Sequence, residues 1–166
     1  DMRHRLNNLT ANARENDRLY EQTRGLVLRL LEADSVEALY RAYISAMRED
    51  FKVEYASMIL FGEDESAGEC RVEALEAATA EIGGLLRSHK AVCGALRREE
   101  LAYLFPDADA VGSAALMPLY NGEELGLIAV GSADANRYSS NTGTLFLAHI
   151  SDVMVRLLPR LPRQAP

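Results

Sequence analysis

The sequence is short of the residues that most directly announce a chemistry. Among its 166 residues are two cysteines, Cys70 and Cys93, and three histidines. They form neither a C-x-x-C pair nor a zinc-ligand spacing. Two cysteines cannot supply a disulfide framework, and nothing marks the chain for secretion. Basic residues are in deficit, 18 against 25 acidic, for a formal net charge of −7. A dedicated nucleic-acid binder needs a basic face, so no direct nucleic-acid partner is expected. No apolar run approaches the roughly 20 residues of a membrane span, and no signal-peptide pattern is visible. The expectation is a soluble, cytoplasmic protein with no membrane partner. Ser-His-Asp, H-E-x-x-H and phosphate-cradling glycine patterns are missing as well, and there is no internal repeat. The chain opens at Asp1 and not at a methionine, as a fragment would.

What is present is a real core, with 48% apolar residues, and a strong organising stretch, Val111 to Ser132. Two apolar runs flank Asn121-Gly122. Asn-Gly between such runs predicts a hairpin with a type I′ turn, which needs φ > 0 at both central residues. Closing the turn there pairs Tyr120 with Glu123, Pro118 with Leu125, Leu116 with Leu127 and Ala114 with Ala129. The opposite face carries Ala115, Met117, Leu119, Ile128 and Val130. Both faces are apolar, so both should be covered by other layers. Pro118 marks a ladder interruption or a locally unpaired edge.

Residues 2–32 read as one long helix. Leu6, Leu9, Ala13, Asn16, Tyr20, Thr23, Val27 and Leu30 alternate spacings of three and four, a heptad seam over about four heptads. Leu19 and Leu26 widen the stripe into the g positions. Asn16 and Thr23 are polar seam residues of the kind that fix register and strand number. A lone amphipathic helix of this length cannot bury its own stripe. The pattern therefore predicts a homodimer joined through these eight positions, against the alternative that the stripe packs on its own domain. Six arginines against four acidic residues within 1–30 form a mixed, solvated helix face.

Ser35 is a candidate N-cap for a second helix reaching about Asp50, with Val36, Leu39, Tyr43, Ala46 and Met47 inward. Ala56–Phe61 is a short buried strand stopped by Gly62, followed by a polar, acidic loop to Glu69 that lacks calcium-loop spacing. Cys70-Arg71-Val72 starts a weak strand. Glu73–Leu86 reads as helix with a weak Gly83-Gly84 end. Lys90–Gly94 is extended, Leu96–Leu104 is a short helix, and a last helix runs from a cap at Ser139 or Ser140 to about Leu158, where Pro159 stops it. Phe146, Ile150, Val153 and Leu157 share a face. The tail from Pro159 is expected to fray.

The final third has the shape S-x-A-x-x-P-L-x-x-x-x-x-x-G-x-I-A-x-G-S-x-D-x-x-R-Y, from Ser113 to Tyr138, followed by a helix. This resembles the closing hairpin and helix of GAF domains. Val92-Cys93-Gly94, Leu104-Phe105, Val111–Leu116 and Gly143–Leu147, with Ala13–Leu19 near the front, look like one bacterial branch, the DUF484 family. The resemblance implies an α+β, GAF-like antiparallel sheet with helices on one face and a pocket on the other, preceded by a long coiled-coil helix. The expected organisation is a dimerisation helix over 1–32, a GAF-like domain over 33–160 and a tail over 161–166. GAF relatives bind cyclic nucleotides, tetrapyrroles or small metabolites, but the N-K-F-D-E signature of the cyclic-nucleotide branch has no counterpart here, and the cofactor is unknown.

Of the residues with chemistry, Cys93 stands out. A thiolate there could act as in the GAF branch that reduces free methionine sulfoxide, with Cys70 as resolving partner, or could anchor a bilin. Thiolate chemistry needs a lowered pKa and usually a second thiol. The bilin arrangement usually has an adjacent histidine, whereas Gly94 follows here. Buried free cysteine is common, so a structural role is the simpler expectation. His149, mid-helix, is a haem ligand or a packing residue; His89 falls in a loop and His4 on the exposed helix. The sequence thus reads as a non-enzymatic regulatory or sensory module with a small molecule or a partner protein as occupant. A thiol redox enzyme and a ligand-free dimeric scaffold are the alternatives. The expected pocket draws on Ser57, Ile59, Phe61, Cys93, Ser113, Ala115 and Met117, facing segment 62–110.

Overall fold

The computed structural model describes residues 2–62, 69–138 and 145–162. Helix α1 (Met2–Leu31) leads into α2 (Val36–Glu49), and the chain then enters strand β1 (Tyr55–Phe61). Strand β2 (Arg71–Glu73), α3 (Leu75–Leu86), β3 (Val92–Gly94) and α4 (Arg98–Leu104) make up the middle. Strands β4 (Ser113–Tyr120) and β5 (Glu124–Ser132) form the hairpin, and α5 (Leu145–Leu157) ends in a 3-10 turn at Leu158–Arg160. The expected Ser139 or Ser140 cap, most of the acidic loop and the end of the tail lie outside the described residues.

The five strands form one sheet in the order β2-β1-β5-β4-β3. Three of its four strand pairs are antiparallel, and β2 runs parallel to β1, so the sheet is mixed. Helices cover both faces. On one, Met58, Leu60, Ala115, Leu119, Ile128 and Val130 meet α1, α2 and α5. On the other, Ile59, Ala114, Leu116, Leu127 and Ala129 meet α3 and α4. The two-sided apolar hairpin is explained by this double cover.

The hairpin register differs from the two-residue expectation. Tyr120 pairs with Glu124, Pro118 with Leu127, Leu116 with Ala129 and Ala114 with Gly131, with a register shift between Leu119 and Tyr120. Gly122, at φ +81°, is the one turn residue with positive φ. A type I′ turn needs two such residues; one suits a three-residue loop with a bulge. From Leu119 back to Ser113 the slip is of two residues, so those side chains and their partners keep their expected faces. Pro118 lies beyond Leu116, the last residue of β4 paired to β3, so that edge of β4 is locally free.

Helix α2 follows its pattern closely. The Ser35 hydroxyl accepts from the Ala38 amide at 3.0 Å, and Val36, Leu39, Tyr43, Ala46 and Met47 are the buried residues. Tyr43 is wholly buried and donates its hydroxyl to the Ala129 carbonyl at 3.1 Å, tying α2 to the central strand. Helix α3 kinks at Ile82 just before Gly83-Gly84.

Helix α1 is divided. Its C-terminal half belongs to the core: Leu26 and Leu30 are 1% and 0% exposed, and Thr23 is buried with its hydroxyl on the Leu19 carbonyl. Gln22 donates to the Asp50 carbonyl at 2.8 Å, and Arg29 pairs with Asp50 at 3.5 Å. Packing therefore runs straight across residue 32. From Met2 to Arg18, by contrast, every described side chain is exposed, Leu6 and Leu9 at 65% each.

Candidate functional site

The α3/α4 face is the side of the sheet where the middle segment closes over the strands. Ser57, Ile59 and Phe61 alternate onto it from β1. The space there is filled by the chain itself, with Ile82, Leu104, Phe105 and Leu116 at most 2% exposed. Two hydroxyls near this filling are buried without a hydrogen-bond partner, Ser57 Oγ and Tyr103 Oη. At the β2 edge, the Arg71 guanidinium donates to the Tyr103 carbonyl at 2.7 Å and lies 5.3 Å from the ring centroid, holding α4 to the sheet. Burial raises the Tyr103 phenol above its ordinary pKa, with Glu73 nearby adding to the effect.

The other four expected pocket residues do not join them. Cys93, Ala115 and Met117 turn to the opposite face and pack against the α1/α2/α5 layer. Ser113 is buried, with its hydroxyl donating to the Asp134 carbonyl at 2.6 Å and accepting from the Tyr138 amide at 3.2 Å. The seven residues thus divide between two faces and cannot line one pocket. Alternation orders residues within a strand, but it does not relate the parity of β1 to that of β3 and β4 across the intervening loops.

Cys70 is buried beside β2, its Sγ 3.6 Å from the Met58 carbonyl oxygen; Cys93 is half-buried on β3. These strands are the two edges of the sheet. Four strand spacings of about 4.8 Å set the thiols roughly 19 Å apart, far beyond the ~7 Å Cα separation a disulfide tolerates. Cys70 is not placed to resolve a Cys93 thiolate. No group of three His, Cys, Asp or Glu side chains able to hold a metal occurs among the described residues. Nor is any helix among them long and apolar enough to cross a membrane.

The S-x-D-x-x-R-Y string is a structural clasp. Ser132 Oγ and the Ala133 amide both donate to the Glu54 carboxylate, at 2.6 and 3.1 Å. These bonds hold its pKa below the ordinary carboxylate range. Arg137 donates to the Phe51 and Lys52 carbonyls, where Lys52 adopts a left-handed φ of 55°. The clasp joins the end of β5 to the entry of β1.

A second concave feature lies outside the sheet. Asn16, Tyr20, Thr23 and Val27 of α1 and Leu145, Phe146 and His149 of α5 line an open, mainly apolar groove of about 480 Å³. His149 is exposed at its rim, not packed in the core. Heptad spacing pointed to the α1 wall; nothing in the sequence placed α5 beside it. His4 is exposed on α1, and His89 follows α3 with its ring stacked on Tyr120 at 3.7 Å and 3.4 Å from Glu124.

This arrangement is shared with known folds. The chain is similar to the GAF domain of a phosphoenolpyruvate-protein phosphotransferase from Acinetobacter, with a TM-score of 0.65, 15% identity, and 85% of this chain and 92% of the other covered. The corresponding GAF domain from Coxiella burnetii gives 0.59 and 11%, covering 84% and 94%. A protein in a far-red absorbing dark state with bound biliverdin IXα gives 0.58 and 14%, covering 81% and 96%. These likenesses establish a GAF fold. Among curated sequences, the uncharacterized protein YigA of Escherichia coli K12 and of Shigella flexneri is 37% identical over 67 residues. The match spans 40% of this chain and only 28% of those relatives. The model of the DUF484 family, proteins of unknown function, matches residues 1–163, and the chain belongs to that family.

Proposed function

We propose that this chain is a non-enzymatic regulatory module that works as a homodimer joined through α1, with events at the sheet transmitted through helix packing. The division of α1 carries this reading. One half is fused to the core through Leu26 and Leu30, while the other stands clear with Leu6 and Leu9 exposed on a regular seam. A 17-residue helical arm whose described side chains are all exposed is marginal in water, and a partner helix would stabilise it. A rigid element shared between a core and an interface is what a population-shift switch needs. Of the eight seam positions, Leu30 is wholly buried within the chain and Thr23 keeps only the edge that lines the groove, which leaves Leu6, Leu9, Ala13, Asn16, Tyr20 and Val27 as the main positions for the partner.

The test uses Leu6→Asp/Leu9→Asp, two sites that are each 65% exposed in the single chain. Four leucines leave the dimer seam at roughly 1.5 kcal/mol or more each, about 6 kcal/mol in all, so Kd should rise about 10⁴-fold. The expected result is a monomer with an unchanged circular dichroism spectrum. A variant that associates as the parent does overturns the reading.

Three buried hydroxyls among the described residues lack a partner; Tyr138 Oη lies in the α1/α2/α5 core, and the other two, Ser57 Oγ and Tyr103 Oη, favour a second element: a small polar molecule entering on the α3/α4 face. Leaving such a group buried and unpaired costs about 1–3 kcal/mol, which a ligand would relieve. Native mass spectrometry of freshly purified protein should show a stoichiometric added mass. A bare mass equal to the chain favours the scaffold alternative, in which the face is filled by its own side chains.

A further inference from the structure

We infer that the groove between α1 and α5 is filled by α1 of a second copy lying antiparallel, each copy inserting its exposed arm into the other's groove. The inference rests on the dimer reading above and fixes its geometry, making α5 part of the seam. Three features of the chain lead there.

The groove is concave and apolar, with Tyr20 and Leu145 at its rim exposed at 68% and 64%. The arm carries a narrow apolar stripe, Met2, Leu6, Leu9 and Ala13, on an otherwise polar helix. Of the nine large apolar side chains exposed among the described residues, six lie on α1: Met2, Leu6, Leu9, Tyr20, Leu28 and Leu31. The arm cannot enter its own groove, because arm and groove wall are successive stretches of one helix. Reciprocal exchange between two copies fills both grooves and closes the assembly about a two-fold axis.

A parallel pairing instead faces groove to groove and sets Tyr20 against the partner's Tyr20. The antiparallel pairing, crossing near Arg18, opposes Leu9 to the partner's Val27, Ala13 to the partner's Thr23, and Asn16 to the partner's Tyr20. Tyr20 is thereby set against the smaller Asn16 and not against a second Tyr20, which close packing favours. Leu6 reaches the partner's Leu31, which is 55% exposed in the single chain. The arm is long enough to fill the groove: the wall from Asn16 to Val27 runs about 17 Å, and the arm from Met2 to Asn16 about 21 Å.

The area is sufficient. Covering Leu6, Leu9, Tyr20, Val27 and Leu145 in both copies, at roughly 100 Å² per side chain, removes about 1,000 Å², the size at which specific interfaces begin. On this geometry, a movement of α5 against the sheet changes the width of the groove that holds the partner's arm.

Cysteine pairs decide it, with oxidised protein run on non-reducing gels and the reduced forms measured by sedimentation. The wild type, with its native Cys70 and Cys93, gives the background. Leu9→Cys alone and Val27→Cys alone should add no covalent dimer, and Leu9→Cys/Val27→Cys should cross-link almost completely. Leu145→Glu should weaken association at least tenfold without altering the fold. A dimeric Leu9→Cys that cross-links to itself overturns the antiparallel geometry, and a Leu145→Glu dimer of unchanged affinity overturns the role of α5. Both outcomes leave the dimer reading standing. If the reduced wild type is a monomer, the dimer reading falls and this inference with it.

Discussion

Gly126 sits on the central strand β5, between Leu60 of β1 and Leu119 of β4. A Cβ built there overlaps the Ile59 carbonyl oxygen and meets the Leu60 Cα at 3.0 Å and its Cδ2 at 3.1 Å. Two of these three atoms are backbone, so relief requires β1 to move away from β5. Overpacking costs typically 1–3 kcal/mol, and a clash against backbone in a central strand belongs at the upper end, about 3 kcal/mol. For a domain of this size, each kcal/mol moves Tm by about 2–4 °C, so Gly126→Ala should lower it by about 6–12 °C. Two other glycines calibrate the result. Gly122 faces open space but has φ +81°, so Gly122→Ala should cost only about 1–2 kcal/mol of left-handed strain. Gly84 is helical with nothing within 4 Å, so Gly84→Ala should stabilise by up to about 1 kcal/mol. Thermal unfolding followed by circular dichroism, at one protein concentration for all variants, gives the ranking. A Gly126→Ala protein melting within 2 °C of the parent, or less affected than Gly122→Ala, would refute the close approach of β1 and β5.

Ser35→Ala removes the α2 cap and should cost about 1 kcal/mol, read as a fall in denaturation midpoint at constant m-value. Glu54 has a folded pKa below its ordinary value of 4.5, so its contribution is present above that value and is lost as pH falls further. The fall in Tm on acidification below about pH 4.5 should therefore be shallower for Glu54→Gln than for the parent, and equal slopes would show that the clasp is not linked to ionisation.

The faces of the hairpin could be read from the sequence because alternation survives a two-residue slip; the register could not, because it turned on the φ of Asn121. Helix α2 was legible to the residue, since Val36, Leu39, Tyr43, Ala46 and Met47 form a full amphipathic face behind a serine cap. Three-residue strands such as β2 carry too little pattern to reveal a parallel pairing. The expected pocket failed on parity: Ser57 and Ile59 face α3 and α4, whereas Cys93 and Ala115 face the other layer. Heptad spacing identified the α1 stripe correctly, but periodicity does not say what covers a stripe. Leu26 and Leu30 went to their own domain, and Leu6 and Leu9 did not. The groove beside them depends on where α5 docks, a tertiary fact with no local signature.

On this reading, the exposed half of α1 meets a second copy. Sedimentation equilibrium of the unmodified chain across a micromolar concentration series tests it most directly. A dimer joined through α1 should give a mass of twice 18.3 kDa, with dissociation seen only on dilution; a single species at 18.3 kDa throughout the series would rule it out.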